Sequence, residues 1–417
     1  MGVPKGRRRI AVAVAALLTL GAVAVIGYRV LAPAEVSTPA RGELPPAATP
    51  KIGVVGRLPA APLIVDGRLR VYATTRQVYA DRPVDRRHRV TPFWSYRRWP
   101  AQVNGVLASG TTVVTHWSDG KVVALDGRTG RVAWRADGPE PGAGFTARRT
   151  GAATVWDPPG ISVGQGPGGG SVLVVSGPGG LRGYGLVDGR ELWRAGGGTD
   201  CRTGLGTTAA GRFVSVDACA GPATVEFRDV TTGAVGTRWR PPDAGAELVV
   251  TPLGCLTPRS QCRGLRTAAP GDAAGRGWLV GAGEPVPAPA LDAAEAVLAG
   301  DLAVGVTDGV LSGRDARTGK LRWRRGDLGQ VRVIAAEPGR VYALTGSREL
   351  ITLDPVTSAE RSRFPLTVGQ DGTSWKPGLA HAVDGYVAVE RLRGNARPGA
   401  GDQQWFLMTE PVVLAAT

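Results

Sequence analysis

Beyond residue 50 the chain keeps returning to one pattern. Four to seven positions alternate Val, Leu, Ile or Ala with small or polar residues, and then a turn of Gly, Asp, Pro or Thr intervenes. Alternation of period two and this length predicts half-buried strands, and Asp-Gly between two such runs predicts a tight hairpin, because both residues tolerate positive φ. The clearest stretch is DGKVVALDGRTGRVAW, residues 119–134, preceded by TTVVTHW. It reappears without gaps as DGVLSGRDARTGKLRW, residues 308–323, preceded by LAVGVT. Asp126 and Asp315, Thr129 and Thr318, Gly130 and Gly319, and Trp134 and Trp323 coincide.

The physical roles in this unit follow from residue type. Asp126 and Asp315 are placed to accept hydrogen bonds from amides of the turn, and Gly130 and Gly319 to take its left-handed position. The Trp four residues later falls on an outer strand. A small sheet cannot bury an indole alone, so each Trp is expected to dock on the neighbouring sheet, and such repetition closes into a ring that protects sheet edges.

Weaker copies fill the rest. LRGYGLVDGRELW keeps Asp188, Gly189 and Trp193 but shortens the turn, and VEFRDVTTGAVGTRW keeps Asp229, Thr232 and Gly233 with Trp239 displaced by two. Residues 340–364 keep Asp354 and Thr357, with Ser358 and Ser362 in place of Gly and Trp. Outer-strand markers fall near 94, 134, 193, 239, 278, 323 and 362. That makes seven units, and residues 366–417 supply an eighth if a strand from near 52–55 closes it. The fold expected is all-β, a propeller of seven or eight four-stranded blades with eight favoured, occupying 51–417.

ALDGRTGRVAW and GRDARTGKLRW resemble the tryptophan-docking motif of pyrroloquinoline-quinone-type (PQQ-like) propeller repeats. The resemblance implies four-stranded blades with each Trp between blades. It also implies a choice of function, since the family includes quinone-dependent alcohol dehydrogenases as well as non-enzymatic members. Among the latter are the propeller lipoprotein of the outer-membrane barrel-assembly machinery and extracellular sensor domains of kinases. Enzymatic members need the quinone, calcium and an Asp base, and many have a disulfide between adjacent cysteines. This chain has no adjacent Cys pair, and most of its Asp residues are assigned to turns. No catalytic residue, metal ligand or cofactor is therefore expected, with PQQ and calcium as the alternative. The expected role is a scaffold for exported or membrane proteins or for an anionic envelope component; a ligand-binding sensor is the other reading. The propeller is expected to be monomeric.

The amino terminus sets the compartment. Residues 10–28 are nineteen without a charge, preceded by Lys5 and Arg7, Arg8 and Arg9. This predicts a basic cytoplasmic tail over 1–9 and a transmembrane signal-anchor over 10–32, with the remainder outside the cytoplasmic membrane. A cleaved signal peptide ending at Ala32-Pro33-Ala34 is the competing reading. The Pro-rich stretch 33–50 reads as an extended tether.

Outside the cytosol an even cysteine count favours disulfides. Four cysteines allow three connectivities, and the local ones, Cys201 with Cys219 and Cys255 with Cys262, would each staple neighbouring strands. The net charge is +15, with only five Lys among 50 basic residues. Nucleic acid is disfavoured by the compartment. One segment, residues 81–99, interleaves Arg86, Arg87, Arg89, Arg97 and Arg98 with Trp94, Tyr96 and Trp99, a possible patch for an anionic surface or polymer through charge and cation–π contacts. The glycine run 164–170 lacks the Lys-Ser/Thr and helix of a phosphate loop. Of the three histidines, His116 is expected in a strand, and His88 and His381 in loops.

Overall fold

The structure is a computed structural model. It describes residues 5–31, 34–142, 149–196, 201–242, 244–272, 275–367, 375–394 and 410–417.

Eight antiparallel sheets follow one another around a ring, each running from an inner to an outer strand. Blade 1 is built from Leu63–Val65, Leu69–Thr74, Gln77–Asp81 and Trp94–Trp99; blade 2 from Val103–Ser109, Thr112–Trp117, Lys121–Asp126 and Val132–Asp137. Blade 3 comprises Ile161–Gln165, Ser171–Gly177, Gly180–Gly185 and Glu191–Ala195, and blade 4 Arg202–Thr207, Arg212–Asp217, Thr224–Asp229 and Val235–Trp239. Blade 5 is the irregular one: Val249–Leu253, Gly264–Ala268, Arg276–Leu279 and the two-residue Val286–Pro287. Blade 6 follows with Val297–Ala299, Leu302–Thr307, Val310–Asp315 and Leu321–Arg325, and blade 7 with Val331–Glu337, Arg340–Thr345, Glu349–Leu353 and Glu360–Pro365.

Blade 8 closes the ring. Trp375–Val383, Tyr386–Arg393 and Val412–Ala416 come from the end of the chain, and the outer strand, Gly53–Leu58, comes from its beginning. The register runs from Gly53 opposite Ala416 to Leu58 opposite Val412. The expected eighth blade and its closing strand are therefore present. Hydrogen bonds between the two ends of the propeller replace the exposed edges that an open array would leave.

The strands expected to be half-buried are, in the middle of a blade, buried on both faces. Val113, Val114, Val122, Val123, Ala124 and Leu125 of blade 2 are all buried, because a blade packs against a neighbour on each face. Apolar clusters accordingly lie between blades as well as within them.

The segment ahead of the ring departs from the expected tether. Ala34–Thr38 adds a fifth strand to blade 1, antiparallel to Trp94–Trp99, from Ala34 opposite Trp99 to Thr38 opposite Ser95. The chain then stays on the propeller: the Ala40 amide donates to the Thr129 carbonyl at 2.8 Å, and Leu44 and Ala48 pack on the core beneath. The outer edge of blade 1 offers unpaired backbone groups, and pairing them outweighs the freedom of a proline-rich chain.

Before it lies a helix, Lys5–Leu31, whose side chains are described for 13–25 and 27. Among the described residues no helix is long and apolar enough to cross a membrane, so the fold lends the transmembrane helix expected over 10–32 no support.

Candidate interaction surfaces

The motif residues meet at the seams between blades. Trp94 of blade 1 reaches blade 2, where its indole N–H donates to the Gly127 carbonyl at 2.7 Å. Its ring lies on Gly130, where an added Cβ would sit 2.5 Å from ring atoms. Trp134 repeats this on blade 3, donating to Leu186 at 2.9 Å over Gly189, and Trp193 on blade 4, donating to Val230 at 2.7 Å over Gly233. Trp323 docks on blade 7, donating to Pro355 at 2.7 Å.

The receiving turns are built as anticipated. The Asp126 carboxylate accepts from the Arg128 amide and the Thr129 hydroxyl, and Asp229 accepts from the amides and hydroxyls of Thr231 and Thr232. Asp315 accepts from the Thr318 amide and hydroxyl and from Arg322, and these contacts hold its carboxyl down at about 2. The turn of blade 3 is not shorter than the others. Gly185 takes the Asp position, its amide donating to the Arg190 carbonyl in the same cross-turn closure, and Asp188 takes the Thr position.

Two of the other four seams use other means. Trp278, expected on an outer strand, sits on the third strand of blade 5 and donates to the Thr267 hydroxyl at 2.9 Å. Trp239 meets it edge to face, centroids 4.7 Å apart, so an indole replaces the glycine shelf. Between blades 5 and 6 no indole docks among the described residues: none of them lies within 4 Å of a Cβ placed on Gly319. Leu291, from the short turn Pro289–Leu291, fills the inner part of that seam and packs with Ala316, Leu253 and Leu298.

A groove opens on the face where this pattern breaks. In each blade the first-to-second and third-to-fourth connections share one face. Across blades 5, 6 and 7 those connections enclose about 960 Å³. Its walls are largely apolar, from Pro252, Leu253, Leu298, Leu302 and Pro338, and its rim carries Leu256 and Val356, exposed by 53% and 70%. Charges at the rim are paired, Arg263 with Asp301 and Arg322 with Asp315.

Both local disulfides form. Cys201–Cys219 joins the open end of the first hairpin of blade 4, and Cys255–Cys262 closes the loop between the first two strands of blade 5. That loop reaches inward over the ring. Arg259 and Cys262 exchange backbone hydrogen bonds with Thr207 of blade 4, Ser260 accepts from the Val163 amide of blade 3, and Arg259 pairs with Asp157. From elsewhere residues 149–158 also turn inward, with Trp156 donating to Pro62 at 2.8 Å and stacked on His381. His381 thus lies in a strand, not a loop. The glycine run 166–170 is a tight hairpin turn of blade 3.

The aromatic–arginine segment does not form one patch. Trp94 and Tyr96 point into the core and are essentially unexposed. Arg98 makes two 2.8 Å bonds to Asp119, while its neighbour Trp99 lies under the Arg76 guanidinium. Arg89 packs over Tyr79. The insertion 82–93 is held from beneath by a fully buried pair, Arg70 and Asp81, joined at 2.7 and 2.8 Å. Arg70 also donates to the carbonyls of Arg86 and His88, and Asp81 accepts from the Val90 amide. The Arg87 carbonyl consequently presses on Gly56 of blade 8, where a Cβ would sit 2.0 Å away. Sequence reasoning had no signal for this pair, since Arg70 and Asp81 look like ordinary strand-end charges.

Other polar groups are equally committed. Glu390 is buried and accepts from Thr150 at 2.5 Å and from the Leu379 amide, and Glu226 is clasped by Arg228 and Arg238. Among the described residues no group of three or more His, Cys, Asp or Glu could hold a metal ion.

His116 lies fully buried on the second strand of blade 2. Its Nε2–H donates to the Pro139 carbonyl at 3.0 Å, while Nδ1 meets no partner. Burial pushes its pKa down to about 4, only partly offset by the Pro139 bond and by Asp119. The unfolded chain binds a proton near 6.5, so the folded state loses stability as pH falls from 6.5 towards 4 and keeps it above 6.5. Between pH 7 and 4.5 the wild type should lose about 2–3 kcal/mol more than His116→Gln, measured by urea unfolding. Equal losses would mean that water reaches the ring.

This architecture defines the class: an eight-bladed propeller whose blades are joined by docked tryptophans over Asp/Thr/Gly turns. Residues 59–254, a little under half the chain, match the family model described as outer membrane protein assembly factor BamB. With the fold and the docked motifs, this match supports a PQQ-like β-propeller. Among solved structures it is similar to BamB from Moraxella catarrhalis, 15% identical, covering 91% of this chain and 97% of that one with a TM-score of 0.43. It is also similar to a europium-containing methanol dehydrogenase, at 14% identity, 93% and 94% coverage and 0.44, and to the C-terminal WD40 domain of Sif2, at 14%, 91% and 99%, and 0.46. No curated protein matches the chain.

Proposed function

We propose that this propeller is a non-catalytic interaction scaffold, held at the outer face of the cytoplasmic membrane by its amino-terminal helix. It presents the groove across blades 5–7 to an exported or membrane protein that inserts apolar side chains. The groove carries the reading: exposed Leu256 and Val356 flank an apolar trough of about 960 Å³, on the face where the tryptophan pattern is interrupted. The match to the BamB family model agrees with a protein-binding role. The extracytoplasmic placement draws on two disulfides, and the tether on the uncharged stretch 10–28 behind four basic residues, with Leu17, Leu18 and Leu20 exposed along the helix.

No resident cofactor is part of the proposal. Asp126 and Asp315 are engaged in turns, and Asp81 and Glu390 in buried contacts. Stoichiometric retention of PQQ and calcium through desalting, with turnover of alcohols, would overturn it.

The test is photo-crosslinking in cells from position 256 or 356, with position 187, an exposed valine on blade 3, as control. One discrete crosslinked species from the groove positions, lost on Val356→Asp together with Leu256→Asp, is expected. Identical products from all three positions would remove the groove as the binding surface.

A further inference from the structure

The docked amino-terminal segment and the arginine-rich insertion meet, and the cleft between them encloses about 690 Å³. Three arginines line it: Arg41 from the segment, and Arg82 and Arg86 from the insertion. Pro39, Pro45, Pro83 and Pro92 also line it, so its walls have little backbone freedom.

Both walls are pinned to the propeller. The segment is held by its strand pairing with blade 1 and by bonds from Ala40 to Thr129 and from Arg68 to Pro45. The insertion is held by Arg70 through the carbonyls of Arg86 and His88. Arg82 is oriented as well: its guanidinium stacks 4.0 Å over the Phe93 ring and donates to the Glu43 carbonyl. The carboxylates on these two stretches are Glu35, Glu43 and Asp85; Glu35 pairs with Arg135, and among the described residues neither Glu43 nor Asp85 pairs with Arg41, Arg82 or Arg86.

We infer that this cleft is a binding site for a phosphoryl group, clasped by Arg41, Arg82 and Arg86. Guanidinium groups match the oxygens of phosphate through paired N–H donors, and stacking of Arg82 on Phe93 fixes one such fork in advance. The positive balance of the whole chain draws an anion in, and the cleft gives it a place to rest. The site lies apart from the groove on blades 5–7, so it stands whether or not the groove binds protein.

Calorimetric titration of the full chain in non-ionic detergent tests this, with inorganic phosphate, tripolyphosphate and glycerophosphoglycerol as probes. Saturable binding of at least one probe is expected. It should weaken tenfold or more in Arg82→Gln/Arg86→Gln and also in Arg41→Gln, whose side chain supports no part of the fold. Arg317→Gln/Arg324→Gln removes the same charge from exposed positions on blade 6 and should bind like wild type. Preference for glycerophosphoglycerol assigns the phosphate to a lipid headgroup, and preference for tripolyphosphate to a soluble polyanion. Equal weakening in cleft and control variants, or no saturable binding of any probe, overturns the site.

Discussion

Asp81→Ala should be among the most damaging single substitutions in this protein, costing about 3–5 kcal/mol of unfolding free energy. Arg70 and Asp81 have no solvent exposure, and each serves more than the other. Arg70 carries bonds to Asp81, Arg86 and His88, and Asp81 adds one from Val90. Removing the carboxylate leaves a guanidinium in a region too dry to solvate it. Folded domains hold about 5–15 kcal/mol in all, so the variant is expected to fold marginally. The double variant Arg70→Met/Asp81→Leu removes both charges and should recover much of the loss while releasing the insertion. Urea unfolding of the three proteins decides the matter: a loss below about 1 kcal/mol for Asp81→Ala would show that water reaches the pair.

The second large effect is expected at a seam. Trp94→Ala should cost about 3–5 kcal/mol, because it empties a fully buried slot between blades 1 and 2 and strips the Gly127 carbonyl of its donor. Trp323 makes the same bond to Pro355 but is only half-buried, so Trp323→Ala should cost less, about 2 kcal/mol. The contrast is the informative part. If the two substitutions cost the same, docking would act through the shared hydrogen bond and not through burial of the ring.

The repeat itself was legible from residue types. Asp126, Thr129, Gly130 and Trp134 interact within a few residues or with the next unit, so spacing alone exposes their roles. The same holds for Asp315, Thr318, Gly319 and Trp323, and for the two local cysteine pairs. The closing strand near residue 53 was legible for a related reason: a ring needs a partner for its last blade, and the only strand pattern left over lay at the other end of the chain. Where the local code degenerates, reading by position failed. Trp278 sits one strand inward of its expected place, and the seam it was meant to close is filled by Leu291, an unremarkable leucine in an Ala/Pro-rich stretch.

The candidate binding residues divide along the same line. Alternation by itself shows that Trp94 and Tyr96 share a strand face, but only the assembled ring decides that this face is the core. Arg41 and Arg82 lie 41 residues apart, and nothing in either neighbourhood announces that the amino-terminal segment folds back to bring them together. The sequence by itself determined the strands, the turns that join them, the repeat and hence the propeller, because those depend on interactions between near neighbours and successive units. Tertiary structure decided the buried Arg70–Asp81 pair, the inward loops, the groove on blades 5–7 and the arginine cleft. Each of these is a meeting of segments distant in the chain, set by which surfaces remain unpaired once the ring has closed.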